Sequence, residues 1–335
     1  MFRLPWLLSV LILGLSACEK QPTQRMVGGS TMGTSWSLKV IAAEHPVSAG
    51  ELTAEVQQTL NDIESKMSNW KKDSEVSRFN EMPAGCLSVS SQTLAVANTA
   101  LEISTLSDGV FDITLGPLIE LWGFGKRIGS DDLPTAEEVQ QAKAKVGYQG
   151  ISIDGDSLCK SRHELSINMS AIAKGYGVDR VAETLQALGY QRFLVEVGGE
   201  LYAEGFNSKG KPWLIGVEKP VADNRQIMID VAVALQAQGL ATSGDYRNFF
   251  EVDGRRYSHL IDPTTGEPVE HQVASVSVLA SSSMLADGWA TAIQVMGVEA
   301  GLAIANELEL AVLILEHSEN GELLSHASKT WQFAE

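Results

Sequence analysis

Apolar residues recur along this chain with two different periods, and the switches between them mark its elements. Trp36, Leu38 and Val40 alternate with Ser35, Ser37 and Lys39, which predicts an early strand with one buried face. Leu52, Val56, Leu60, Ile63 and Met67 then recur at spacings of three and four, the single stripe of an amphipathic helix. A second helix is expected over 93–106, and a third opens at Thr135, where Thr135 and Glu138 form a capping-box pattern. Ile151 and Ile153, an Asp154-Gly155 turn and the alternation of Leu165, Ile167 and Met169 predict a hairpin or meander. From Ala171 the period returns to that of a helix, with Ile172, Val178, Val181, Leu185 and Leu188 inward and Gly189 as its stop. Strands are expected at 193–197, 213–217 and 227–233, as a hairpin at 249–252 and 256–261 around Asp253-Gly254, and around Val276 and Val278. Two helices near 283–295 and 299–308, a strand at 311–315 and a closing strand near Trp331 complete the pattern. Helices and strands alternate without a regular βαβ repeat, so the fold class is α+β, mixed, mainly antiparallel sheets with packed helices. A subdomain boundary near 150 is weakly marked.

The first residues do not belong to that fold. Arg3 precedes an apolar run over 4–15, too short for the roughly twenty residues of a membrane span and ending in the small-residue sequence LSAC. This is the pattern of a bacterial lipoprotein signal over 1–17, cleaved before Cys18, whose thiol would carry the lipid. Residues 18–26 then form a polar tether, and 27–335 one domain. Apolar residues make up 44% of the chain and charged ones 20%, which excludes a disordered protein. The net charge of −17 argues against nucleic acid as a partner, and a phosphate-bearing ligand would need the help of a cation. Cys86 and Cys159 are the other cysteines; no zinc spacing occurs, and in an oxidising compartment the two could pair or remain buried thiols.

No Walker A loop, H-E-x-x-H or G-x-S-x-G occurs, and Gly123, Gly125 and Gly129 miss the dinucleotide fingerprint by one position. What remains is a set of loops that set glycine beside polar or aromatic residues: GSTMGTSW, FDITLGPLIELWGFG, SAIAKGYGVD, EVGGELYAEG and TSGDYRNFFEVDGRRYSHLIDPTTGEP. Such loops suit close approach to a large planar ligand, although any one of them also reads as a tight turn. Asp287 and Thr291, four apart on an expected helix, project two hard oxygens from one face and could hold magnesium if a backbone carbonyl joined them; a helix cap or a solvated face fits the same spacing. Lys174 lies in a first helical turn, where it suits a pyrophosphate or is a snorkelling surface lysine. His259, in a dense polar turn, could take a proton from an attacking hydroxyl or could fix its hairpin by hydrogen bonding. The other histidines, His45, His163, His271, His317 and His326, are read as surface residues.

In this order the loops resemble the ApbE family of FAD:protein FMN transferases, through TMGT, FDITLGPL with LWGFG, AIAKGYGVD, TSGDYRN with YSHLIDPTTG, and AD-x-x-x-T. The resemblance runs from about Gly28 to the C-terminus and implies the family's fold with its flavin cleft. It implies flavin contacts from Met32, Trp70, Val110, Phe111, Asp112, Asn168, Lys174 and Ile261, magnesium held by the Ala171 carbonyl, Asp287 and Thr291, and His259 as base. Asn168 stands where the family usually has aspartate, and Ala290 where some relatives have one. The implied reaction is magnesium-dependent transfer of FMN from FAD to a Thr or Ser hydroxyl of a target protein with release of AMP. The implied targets are flavin-carrying subunits of membrane redox complexes of the sodium-translocating NADH:quinone reductase or Rnf type. The implied location is the periplasmic side of the inner membrane, although Glu19 after Cys18 leaves the outer membrane open. Two alternatives use the same residues: a magnesium-dependent FAD pyrophosphatase, and a flavin-binding lipoprotein without catalysis.

Overall fold

The computed structural model describes residues 23–42, 46–125, 133–218, 229–244, 249–318 and 320–333. The signal, Cys18, most of the tether and Asp245 to Asn248 of the TSGDYRN loop lie outside the described residues. The chain opens with the hairpin β1 (Gln24–Thr31) and β2 (Thr34–Ile41), so residues 24–26, expected in the tether, already pair in a sheet. Trp36, Leu38 and Val40 are buried, as their alternation requires.

A long excursion follows. α1 (Ala49–Met67) starts at a complete capping box of Ser48 and Glu51 and buries the five residues of its expected stripe. Next come α2 (Glu75–Glu81), β3 (Gly85–Ser88), α3 (Ser91–Leu106), α4 (Gly116–Leu121) and α5 (Ala136–Lys143), the last behind the expected Thr135–Glu138 box. β4 (Ile151–Asp154) and β5 (Ser157–Lys160) join β3 in a small antiparallel sheet of order β3-β5-β4. Cys86 and Cys159 face each other in its ladder and form a disulfide across a sequence separation of 73 residues, so they do pair. One core cluster holds residues on both sides of position 150, among them Ile103, Leu158 and Ile314.

Residues 165–169 are not a strand. Leu165, Ile167 and Met169 are buried as their alternation demands, but side chains take the place of a partner strand. Asn80 accepts from the Ile167 N–H (2.7 Å), and the amides of Asn80 and Asn69 donate to the Ile167 carbonyl. The Lys160 ammonium donates to the Leu165 carbonyl (2.9 Å). An apolar alternation reports the buried face and leaves open which groups satisfy the backbone.

α6 (Ala173–Ala187) then returns the chain to the first sheet, ending at Gly189 (φ +83°) with the Tyr190 N–H bonded to the Leu185 carbonyl. The rest consists of β6 (Phe193–Val197), β7 (Glu200–Glu204), β8 (Trp213–Glu218), β9 (Ile229–Leu235), β10 (Gln238–Gly244), β11 (Phe249–Val252) and β12 (Arg255–Ser258). It closes with β13 (Val273–Ala280), α7 (Ser283–Glu307), β14 (Ala311–His317) and β15 (Leu323–Ala327). The main sheet has the order β1-β2-β6-β7-β10-β13-β14-β15, with every neighbouring pair antiparallel. Both of its faces are covered. Val276, Val278, Val312 and Ile314 pack towards the helices, whereas Leu194, Leu240, Leu313 and Leu315 pack towards the β8–β9 hairpin. Trp331 is buried in that second layer without belonging to a strand; the closing strand is β15, whose alternation is too weak to mark it. β12 stops at Ser258, three residues early, because the Ser258 hydroxyl accepts from the Leu260 N–H and Ile261 makes a lone bridge to Pro268.

The two helices expected at the C-terminal end form one rod, α7, broken at Gly297 (φ 80°, ψ −175°). His271 supports the break, with Nε2 3.3 Å from the Val295 carbonyl and Nδ1 accepting from the Val273 N–H. α6 crosses α7 at Gly175, where a Cβ would lie 2.3 Å from the Ser283 carbonyl oxygen. Only glycine permits that approach. Asp179, one turn further along α6, caps α7 by accepting from the Ser283 and Met284 N–H groups (2.7 and 2.9 Å).

Burial raises the Asp179 carboxyl from 3.8 to about 6 against those two hydrogen bonds, so its stabilising contribution is complete below pH 3.8 and is lost as pH rises through about 6. The stability of Asp179→Asn relative to the unaltered protein should therefore shift in the variant's favour between pH 4 and pH 7, as read from urea midpoints. For the disulfide, closure of the 73-residue separation constrains the unfolded chain by about 4 kcal/mol. Reduction, or the double change Cys86→Ser with Cys159→Ser, should lower the melting temperature by several degrees in calorimetry.

Candidate active site

A cavity of about 560 Å³ opens between the excursion, the start of α6, the first half of α7 and the β6–β7 turn. Val110, Phe111, Asp112, Asn168, Ala171, Lys174, His259, Ile261, Asp287 and Thr291 all line it. These come from four separate stretches of sequence. Met32 and Trp70 are not among its lining residues: Met32 sits in the β1–β2 turn in left-handed conformation (φ 48°) against Gly177, and Trp70 is 67% exposed.

The metal-directed residues meet because of the α6–α7 crossing. The Gly175 N–H donates to Asp287 Oδ2 (3.0 Å), where a regular helix would direct it to the Ala171 carbonyl. Among the described residues nothing donates to that carbonyl, and Ala171 lines the cavity. Thr291 is free in the same sense. Thr53, Thr59, Thr105 and Thr184 return their hydroxyls to the carbonyl one turn back, whereas the Thr291 hydroxyl makes no hydrogen bond among the described residues. Asp287, 4% exposed, supplies the carboxylate. No three His, Cys, Asp or Glu side chains cluster as metal ligands among the described residues, so a cation here depends on the carbonyl and hydroxyl oxygens as well. One carboxylate, one hydroxyl and one carbonyl form a hard-oxygen set that leaves positions for waters and substrate phosphates, as magnesium requires.

Lys174 is held by two carboxylates. Its ammonium donates to Glu200 Oε1 and lies 3.6 Å from Asp287 Oδ1. Its stem passes Gly198, where a Cβ would come within 3.4 Å of Lys174 Cδ and 2.8 Å of Thr34 Cγ2. Burial would lower the lysine, but the charges of Asp287 and Glu200 outweigh it and hold the ammonium above its ordinary value. Burial likewise raises the Glu200 carboxyl, against the pull of Lys174. Burial acts on both groups, and both also feel the charge of Asp287. Glu200 was missed in the sequence because EVGGELYAEG reads as a glycine-rich ligand loop; Gly198 and Gly199 are the tight turn of the β6–β7 hairpin, and Glu200 is the first, buried residue of β7.

The remaining residues divide by what they already hold. Asp112 has little left to offer a ligand: Oδ1 accepts from the Thr114 N–H and hydroxyl (both 2.6 Å) and Oδ2 from the Tyr148 N–H (3.0 Å), so it braces its loop. Burial raises its carboxyl above the ordinary range in spite of these bonds. Asn168 Oδ1 accepts from the Ser170 N–H, and its amide nitrogen makes no hydrogen bond among the described residues. Phe111 and Ile261 give apolar wall, 3% and 2% exposed. His259 follows β12 and lies edge-on to Phe124 (6.3 Å), beside the stacked rings of Trp122, Tyr257 and Phe250. α6 begins without a side-chain cap, but the Ala173 N–H is taken by the Met169 carbonyl and the Gly175 N–H by Asp287, so the Lys174 ammonium is the main attraction for an anion.

The ApbE family model matches residues 32–314. A FAD:protein FMN transferase of Vibrio cholerae is 42% identical over 318 residues, covering 94% of this chain and 95% of its own. One of Haemophilus influenzae is 38% identical over 325 residues, covering 95% and 94%. Among solved structures, flavin transferase ApbE from Vibrio cholerae superposes with a TM-score of 0.86 at 40% identity, covering 92% of this chain and 98% of that one. The flavinyl transferase ApbE of Pseudomonas stutzeri, in apo form, gives 0.85 at 39% identity over 93% and 96%. On the strength of these matches the chain belongs to the ApbE family.

Proposed function

We propose that this chain is a FAD:protein FMN transferase, moving FMN from FAD onto a Thr or Ser hydroxyl of a target protein and releasing AMP. What carries this is the wall of the cavity, where the Asp287 carboxylate, the Thr291 hydroxyl and the unpaired Ala171 carbonyl lie beside Lys174, opposite apolar surface suited to a flavin ring. The relatives' names support the same activity.

Ala171, Asp287 and Thr291 would hold Mg2+, which when bound supplies neutralisation of the charge that builds on the departing phosphate. The Lys174 ammonium binds and orients the pyrophosphate. Val110, Phe111 and Ile261 cover the isoalloxazine and keep water from the reacting phosphorus. His259 accepts the proton of the target hydroxyl as its oxygen bonds to the FMN phosphorus, and the bond from that phosphorus to the bridging oxygen breaks to free AMP.

Anchoring through lipid on Cys18, at the periplasmic face of the inner membrane, is part of the same proposal. The LSAC signal supports it, and the Cys86–Cys159 disulfide suits an oxidising compartment. The acceptors are taken to be flavin-carrying subunits of membrane redox complexes.

Incubated with FAD, Mg2+ and an acceptor domain, the purified protein should give a covalently fluorescent acceptor and stoichiometric AMP. Asp287→Ala should lower that rate by about 100-fold or more, as should chelation of the metal. His259→Asn should cost about 100-fold or more in kcat with little change in flavin affinity. Free FMN with an unlabelled acceptor would identify a pyrophosphatase instead, and intact FAD under every condition a carrier.

A further inference from the structure

Three charged side chains meet where β7 begins and α6 crosses α7, and their spacing is unequal. The Lys174 ammonium is hydrogen-bonded to Glu200 Oε1 but stands 3.6 Å from Asp287 Oδ1, beyond hydrogen-bond reach. Asp287 Oδ2 is already taken by the Gly175 N–H, so Oδ1 is the oxygen left for a cation. An ammonium drawn fully onto Oδ1 would compete for it. Glu200 itself is an expensive residue to place here: its side chain is 3% exposed, and Oε2 is buried without a hydrogen-bond partner. Packing does not demand it, since the other buried position of β7 is apolar Ala203.

We propose that Glu200 is a positioning residue that holds the Lys174 ammonium back from Asp287 Oδ1 and so keeps that oxygen open to a divalent cation. This rests on the metal site proposed above. Glu200 touches neither the substrate nor the ion in this scheme; it acts on the cation's ligand through the lysine, and contacts of that kind set metal affinity by roughly 10–100-fold.

The test is Mn2+ binding to the flavin-free full chain, followed by electron paramagnetic resonance, with melting curves to show that each variant is folded. Glu200→Gln should weaken Mn2+ binding by about tenfold. Glu200→Asp keeps the charge but withdraws it by one methylene and should weaken binding too; it carries the same expectation if the glutamine variant fails to fold. With Lys174→Met as background, the further change Glu200→Gln should have no effect. An unchanged Kd in both Glu200 variants overturns the proposal, as does a full loss in the lysine-free background, which would mean that Glu200 acts by its charge alone. Asp287→Ala separates the two levels: Mn2+ binding lost there with Glu200 variants unaffected removes only the role of Glu200, whereas binding retained in Asp287→Ala removes the metal site itself.

Discussion

The bond from the Gly175 N–H to Asp287 Oδ2 organises the site, because a single hydrogen bond does three things at once. It ties α6 to α7, aims the second carboxylate oxygen at the cavity, and leaves the Ala171 carbonyl without its usual donor. The bond in turn requires a glycine, since any Cβ at 175 would strike the Ser283 backbone. It also requires α7 to start where it does, which the Asp179 cap on Ser283 and Met284 enforces. The oxygens proposed as metal ligands are therefore placed by helix packing rather than by a loop.

The electrostatics follow from that packing. Two carboxylates from different elements converge on one ammonium inside a protein whose overall charge is −17, so each of the three side chains sets the position and charge of the other two. The apolar wall of Phe111 and Ile261 suits the uncharged end of the proposed flavin ligand.

Much of this was legible in the sequence wherever the deciding forces are local. The stripe of α1 and the Thr135–Glu138 box depend on neighbours three and four residues away, and both formed as expected. The Lys174, Asp287, Thr291 and His259 quartet was recognisable from its motifs and does share one cavity. Long-range partners were not legible. Asp179 meets its helix 104 residues away and Gly175 its carboxylate 112 residues away, separations about which periodicity says nothing. Glu200 was hidden for a related reason: a charged residue in a strand reads as solvent-facing until the fold supplies its counter-ion. The segment 165–169 failed in the opposite sense, since its alternation was genuine but its backbone is satisfied by Asn80, Asn69 and Lys160.

The break in α7 at Gly297 separates two mechanical roles along one rod. Upstream lie Asp287 and Thr291; downstream, Gly301 and Ala305 pack in the core near β14. The Val295 carbonyl, left without its helical donor by the break, is taken by His271, so the rod changes direction at Gly297 without an unpaired backbone group there.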